Sequence, residues 1–300
     1  MGGLGCAVLS GDIPMIRRLV EAQASLTTRA REMFEVGIGP DFAPLHLAVV
    51  RSRHHTTILE LLLELRSDPN MDAGASSCAL GWCPSAHAVE VMVQARADVN
   101  RVCGPPFRIT PLQTAAMTHQ NKEVFARLLE KKADVHLLGQ GLRSPILSML
   151  ATFCHLGYPD RLEVAKLLVE AGADPNARCK SAGMMYFLGL LARLRLQFRK
   201  PPVVAHIFAN LDVASLGYAA IVGEARMVNL LLGVRADPWM KNNRGVMQME
   251  LARSQDVSQT IDAHIQRLQR DDESDSVASD LSQRRSTDGS ELGLVIQVPF

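Results

Sequence analysis

The side chains that most often carry out chemistry are thinly spread along this chain. Its nine histidines and six cysteines do not combine at any spacing typical of a metal site. The segment 138–144, LGQGLRS, has two glycines but lacks the Lys-Ser/Thr pair of a phosphate-binding loop. No metalloprotease, serine-hydrolase or kinase motif is present. The sequence therefore predicts no catalytic residue, no metal and no cofactor, and we expect a protein that is not an enzyme.

Two cysteines lie close together in the segment ASSCALGWCPSA, at Cys78 and Cys83. A redox or metal-binding role is one interpretation of this pair. The favoured interpretation is that both are small apolar side chains packed in a helix. No C-x-x-C pair or secretory signal is present, so we expect reduced thiols in a cytoplasmic protein, with the nucleus as the alternative location.

The overall composition predicts helices and gives no sign of a charged ligand. Aromatic residues make up only 5% of the chain, and Leu, Ala, Val and Met supply most of the apolar mass. The formal net charge is +1, so nucleic acid is not expected as the partner. No apolar run approaches the roughly 18 to 20 residues that a membrane helix needs, so we expect no membrane span.

A short polar motif recurs along the chain after amphipathic helical stretches. Its copies read RSDPN, RADVN, KADVH, GADPN and RADPW, at 66–70, 96–100, 132–136, 172–176 and 235–239. A second element, such as TPLQTAAM at 110–117, recurs upstream of the helical stretch. Thr110-Pro111 and Ser144-Pro145 are predicted helix starts, because a hydroxyl caps free amides and proline suits the first helical position. Each unit is therefore a short helix, a tight turn, a longer helix and a polar loop.

These units resemble the ankyrin repeat, whose opening tetrapeptide is T-P-L-H. Residues 44–46 (PLH) and 110–112 (TPL) match that opening, and 162–176 is similar to the second helix and turn of the family. The resemblance implies an all-α fold, an ankyrin-repeat solenoid of stacked antiparallel helix pairs. One unit cannot bury its apolar stripes alone, and stacking against neighbours buries them.

The resemblance divides the chain into an ankyrin-repeat domain at 1–267 and a Ser/Asp-rich tail at 268–300, which we expect to be disordered. Within the domain we predict seven repeats and a truncated C-terminal cap, at 2–27, 43–70, 75–100, 110–136, 144–176, 181–213, 214–239 and 245–267. The unit 181–213 departs most from the pattern. We expect it to form a distorted helix pair that changes the curvature of the stack.

The resemblance implies a protein–protein interaction module, acting as a scaffold, adaptor or inhibitor, which by itself is monomeric. Partners of this family usually lie across the concave face and the loops between repeats. Those loops are basic here and include two aromatic residues, which predicts an acidic partner segment. The predicted partner-binding residues are Arg101, Phe107, Arg108, Arg143, Arg178, Lys180, Trp239, Lys241 and Arg244. One alternative is a targeting or substrate-receptor subunit of an enzyme assembly such as a ligase or kinase complex, and another is a structural subunit of a large complex.

The tail contains three candidate phosphorylation sites. Ser274 and Ser276 lie among acidic residues, and Ser286 follows two arginines. Phosphate would add negative charge to a flexible arm. One hypothesis is that this acidic tail competes with the partner for the basic loops.

Overall fold

We describe the chain from a computed structural model. The structure describes residues 2–28, 42–53, 55–73, 77–104, 108–139, 143–180, 191–193, 196, 202–210 and 212–270. Several predicted features therefore lie outside the described residues, namely Phe107, Ser274, Ser276, Ser286, much of 181–213 and the tail beyond residue 270.

The chain forms pairs of short helices, as the all-α prediction requires. The pairs before residue 180 are α1 (Gly3–Ser10) with α2 (Ile13–Glu21), α3 (Pro44–Arg51) with α4 (Thr57–Glu64), a 3₁₀ helix (Ala79–Trp82) with α5 (Ala86–Gln94), α6 (Pro111–Thr118) with α7 (Lys122–Glu130), and α8 (Ile146–Phe153) with α9 (Arg161–Glu170). A further 3₁₀ turn, Cys154–Leu156, follows α8, and a two-residue hairpin, β1 (Asp72–Ala73) with β2 (Ser77–Cys78), follows α4. After residue 180 come α10 (Val203–Ala209), α11 (Ser215–Val222) with α12 (Ala225–Gly233), and a 3₁₀ helix (Gln248–Leu251) with α13 over 255–270.

The predicted helix starts give one confirmation and one correction. The Thr110 hydroxyl accepts from the Gln113 N–H at 3.2 Å, and the Gln113 side chain accepts from the Thr110 N–H at 3.0 Å, which forms a capping box before α6. The prediction that Ser144 caps α8 is wrong. Its hydroxyl lies 3.1 Å from the Cys179 sulfur, and Pro145 is the cap residue of α8 without a side-chain hydrogen bond.

The hydrophobic core follows the first helix of each pair. In α3, α6, α8 and α11 the residues of the first two turns are buried on every side. These helices pack in a row, in which α1 contacts α3, α3 contacts the Ala79–Trp82 helix, that helix contacts α6, and α6 contacts α8. The apolar cluster is continuous from Leu4 to Ile261. Each first helix is therefore enclosed by its neighbours along the stack, as expected for a solenoid.

Asparagine side chains tie the turns of neighbouring repeats together. The Asn70 amide donates to the Arg96 carbonyl at 3.0 Å and accepts from the Asp98 N–H at 2.8 Å. Asn100 makes the same pair of contacts with Lys132 and Asp134, at 3.0 and 2.8 Å. We call this series of contacts the asparagine ladder.

The ladder shows which repeats are neighbours in the second half of the chain. The Asn176 amide donates to the Arg235 carbonyl at 3.0 Å and accepts from the Asp237 N–H at 2.8 Å. Around this rung α8 packs against α11 and α9 packs against α12. An ion pair joins Arg161 to Glu224 at 3.2 Å. The repeat 144–176 therefore stacks directly on the repeat 214–239.

The prediction that 181–213 is a stacked repeat is wrong. The segment is an insertion between two repeats that contact each other directly through Asn176. Its described ends lie side by side, because the Cys179 N–H donates to the Val213 carbonyl at 3.3 Å. Within the insertion, α10 lies against α11, and the Arg193 side chain donates to the Ala209 carbonyl at 3.2 Å. The physical reason is that 181–213 lacks the Asp-x-Asn turn that would form a rung with its neighbours.

Candidate protein-interaction surface

The ladder aligns the loops that follow each turn along one edge of the stack. We call these finger loops, at 71–78, 101–109, 137–144, 177–180 and 240–247. In each of the first four, the backbone N–H of the first residue donates to the carbonyl of the ladder aspartate, at 3.2 to 3.4 Å. The described beginnings of these four fingers therefore share one backbone geometry. The predicted binding residues described by the structure lie on four of these fingers or next to them.

Arg101, one of the predicted partner-binding residues, forms an ion pair within the fold. Its guanidinium pairs with the Asp72 carboxylate of the preceding finger at 3.3 Å. The same carboxylate accepts from the Gly104 N–H at 3.1 Å. Asp72 therefore connects two fingers and neutralises Arg101 locally, which makes Arg101 a finger-positioning residue.

The other predicted arginines and lysines come together in the second half of the stack. The Lys180 N–H donates to the Arg143 carbonyl at 3.2 Å, so these two loops run side by side. The Arg178 guanidinium donates to the Lys241 carbonyl at 2.5 Å and bridges the next pair of fingers. The Arg244 side chain donates to the Asn210 side-chain oxygen at 3.4 Å. Three neighbouring loops thus form one basic edge, which we define by Arg143, Arg178, Lys180, Lys241 and Arg244.

The basic edge has no acidic counterpart among the described residues. No ion pair within the described chain involves any of its five members, or Arg108 on the neighbouring finger. The aspartates nearby are used within the fold, since the carboxylates of Asp174 and Asp237 accept from backbone N–H groups two residues later, each at 2.8 Å. Asp212 accepts from the Asn243 N–H. The edge is therefore positively charged and held by backbone contacts.

Trp239 lies where the finger edge meets the last helix. Its side chain is 45% exposed, although it is one of the largest apolar groups in the protein. It lines a groove of about 550 Å³ together with Leu232, Pro238 and Leu268. Trp239 is therefore accessible to solvent in this groove, while the predicted anchor Phe107 lies outside the described residues.

Three residues that organise this surface were not predicted from the sequence. Asp72, Asn210 and Asp212 each contact a finger that is distant in the chain. No local pattern in the sequence marks them. A signal exists only for Asp72, which is the one acid in the segment MDAGASSC after the second turn.

The two closely spaced cysteines take the places of core side chains. Cys78 and Cys83 are 2% and 0% exposed. Burial raises the pKa of both thiols, which disfavours the thiolate needed for nucleophilic attack or metal binding. Over the described ranges, no three His, Cys, Asp or Glu side chains are placed to hold a metal ion. The packing interpretation fits this environment better than the redox or metal interpretation.

In the part of the chain that the structure covers, no helix combines the length and the apolar character needed to cross a bilayer.

Comparisons with known proteins identify the repeats and the fold. The ankyrin repeat family matches residues 41–73 and 147–180. The ankyrin repeat domain of human ASB11 is similar at a TM-score of 0.58 and 16% identity, covering 88% of this chain and 98% of that one. The ankyrin repeat domain of Bcl-3, described as a unique member of the IkappaB protein family, is similar at a TM-score of 0.53 and 20% identity, covering 87% and 98%. No curated protein is matched by the sequence. Two segments of this chain thus match the ankyrin repeat, and its fold is that of ankyrin repeat domains.

Proposed function

We propose that this protein is a non-catalytic binding module that captures an acidic segment of another protein along the basic edge and the concave face beside it. It acts as a scaffold, adaptor or inhibitor, and by itself it is a monomer of the cytoplasm or nucleus. The observation that carries the proposal is the convergence of Arg143, Arg178, Lys180 and Lys241 on neighbouring fingers without an acidic partner in the described chain.

The geometry of the edge suits this role. The fingers are fixed by the ladder and by contacts between loops, so little ordering is lost when a partner docks. Cations at an exposed rim mainly speed association and select the sign of the partner. Their contribution is screened by salt, because the Debye length is about 8 Å at physiological ionic strength. Binding should therefore weaken as the salt concentration rises.

Reversing three of these charges is the direct test. Affinity capture with crosslinking mass spectrometry first identifies the partner and the face it contacts. In the combined variant Arg143→Glu, Arg178→Glu and Lys241→Glu, we expect the affinity for that partner to fall by about tenfold or more at low salt, since each reversal replaces attraction with repulsion. Isothermal titration calorimetry at two salt concentrations measures the change.

The control reverses three exposed arginines on second helices, Arg17→Glu, Arg18→Glu and Arg226→Glu. It changes the net charge equally and leaves the fingers intact. Both variants are compared with the unaltered chain by circular dichroism. Unchanged affinity of the finger variant at low salt, or an equal loss in the control, would contradict the proposal.

A further inference from the structure

Between Asn70 and Asn176, the asparagine ladder lacks one rung. At the junction between repeats 110–136 and 144–176, His136 stands at the position that Asn70, Asn100 and Asn176 occupy in their own repeats. His136 makes no cross-repeat hydrogen bond with the described residues, and the Asp174 N–H, which this rung would satisfy, has no acceptor among them. The two repeats are therefore not tied at this point in the way their neighbours are.

The same junction also carries an unusually small loop residue. The first residue after the turn is long in four other repeats, namely Met71, Arg101, Leu137 and Met240, but it is Ala177 here. The backbone of this turn is the same as elsewhere, because the Ala177 N–H donates to the Asp174 carbonyl at 3.3 Å. Only the side chain is missing, and with it the volume that a Met or Leu would fill.

A pocket of about 260 Å³ opens at this junction. Val135, Ile146 and Leu147 supply an apolar floor, and Ala173 and Ala177 form one wall. Arg178 and Lys180 of the basic edge also line it, as does His136. The opening thus combines a small apolar cavity with positively charged side chains at its rim.

We propose that this pocket holds one apolar side chain of leucine or phenylalanine size, presented by an extended acidic segment of the partner protein. The inference rests on the proposed function and adds the specificity determinant of the same surface. Arg178 and Lys180 select carboxylates on either side of the anchor. The Asp174 N–H donates to a backbone carbonyl of the bound segment. The Asp174 carboxylate does not compete for the segment, because it already accepts from the Asn176 N–H at 2.8 Å.

The pocket supplies the sequence specificity that the basic edge alone lacks. Exposed charges attract any acidic chain, whereas a desolvated apolar anchor in a small cavity discriminates between sequences. The other ladder junctions are bridged by an asparagine, whereas the cavity described here lies at the unbridged His136 junction. The anchor of the partner therefore docks at one register along the edge.

The test uses two fluorescein-labelled peptides and the full chain in fluorescence anisotropy titrations at low salt. One peptide is Glu-Asp-Glu-Leu-Glu-Asp-Glu, and the other has alanine in place of the leucine. We expect the unaltered chain to bind the leucine peptide about five to ten times more tightly, because the larger side chain buries more apolar area.

Two variants alter the pocket in different ways. Ala177→Met restores the side chain found at Met71 and Met240, and it should reduce the preference for the leucine peptide to less than about twofold while keeping the affinity for the alanine peptide. His136→Asn restores the missing rung and takes up the Asp174 N–H, so it should weaken the binding of both peptides to a similar extent. Leu137→Met is the matched control, since Leu137 begins the neighbouring finger and does not line the pocket. It should keep the full preference.

The outcomes separate the pocket from the basic edge. Equal binding of both peptides by the unaltered chain, a preference that survives Ala177→Met, or an unchanged affinity for both peptides in His136→Asn overturns the pocket and leaves the edge in place. Failure of the unaltered chain to bind either peptide overturns both. Circular dichroism on every variant shows that the fold is kept, and His136→Asn should also raise the melting temperature through the added rung.

Discussion

Replacing Leu150 with alanine is expected to lower the free energy of unfolding by about 2–5 kcal/mol. Leu150 is fully buried on α8, in the row of first helices between α6 and α11. The loss combines the transfer free energy of the removed atoms with the cavity left behind. Urea denaturation followed by circular dichroism measures the shift.

The control for this prediction is Val204→Ala on α10, where the side chain is 56% exposed. It should change stability by less than about 0.5 kcal/mol. If Leu150→Ala lowers the free energy of unfolding as little as this control does, α8 is not packed between α6 and α11 as described.

The second large effect is expected for Gly81→Ala, which should destabilise the protein by about 1–3 kcal/mol. Gly81 lies in the Ala79–Trp82 helix, where it approaches α6 closely. An added Cβ would meet the Thr114 side chain and would lie 2.8 Å from the Pro111 carbonyl oxygen. The second of these is backbone, so the helices themselves would have to move apart.

Gly233→Ala is the matched control for this substitution. Gly233 is the last residue of α12, and an added Cβ there meets nothing within 4 Å. Thermal melts of the two variants should separate clearly, with Gly233→Ala at or above the unaltered chain because alanine favours a helix. Overlapping melting curves for the two alanine variants would show that the helix approach at Gly81 is looser than described.

The repeat pattern predicted the fold because each local signal agreed with the stacking it serves. The Thr110 capping box and the paired helices followed directly from residue types and spacing. The Asp-x-Asn endings at 98–100 and 174–176 proved to be both local turns and rungs between repeats. A short motif that satisfies a backbone group in its own repeat and in the next is readable from the sequence alone.

The insertion was misread because apolar periodicity cannot tell a stacked helix from an inserted one. The segment 181–213 contains a long apolar stretch, and the gap between the turns at 172–176 and 235–239 has room for two units. The informative signal was the absence of a ladder turn after α10. Without an Asp-x-Asn turn, no rung can join such a unit to its neighbours.

The sequence predicted which residue types line the candidate surface but not which of these residues contact each other. The sequence indicates that the fingers are basic, yet it does not show that Asp72 pairs with Arg101 or that Arg178 bridges to Lys241. Those contacts depend on how far neighbouring repeats are rotated along the stack. The pocket beside His136 also depends on two neighbouring repeats, so neither His136 nor Ala177 suggests it alone.

Repeat 144–176 stacks directly on repeat 214–239, and distances between spin labels on these repeats measure that contact. Glu123, Glu163 and Arg226 are exposed and occupy equivalent positions on α7, α9 and α12. Nitroxide pairs are placed at 123 with 163 and at 163 with 226, in a chain carrying Cys6→Ser because Cys6 is the exposed native thiol among the described residues. The pairs are compared by double electron–electron resonance.

Direct stacking predicts the same mean distance for both pairs, since helices of neighbouring repeats pack about 8–10 Å apart. A 163–226 distance that is longer than the 123–163 distance by about 10 Å would place another repeat between 144–176 and 214–239 and would rule out direct stacking.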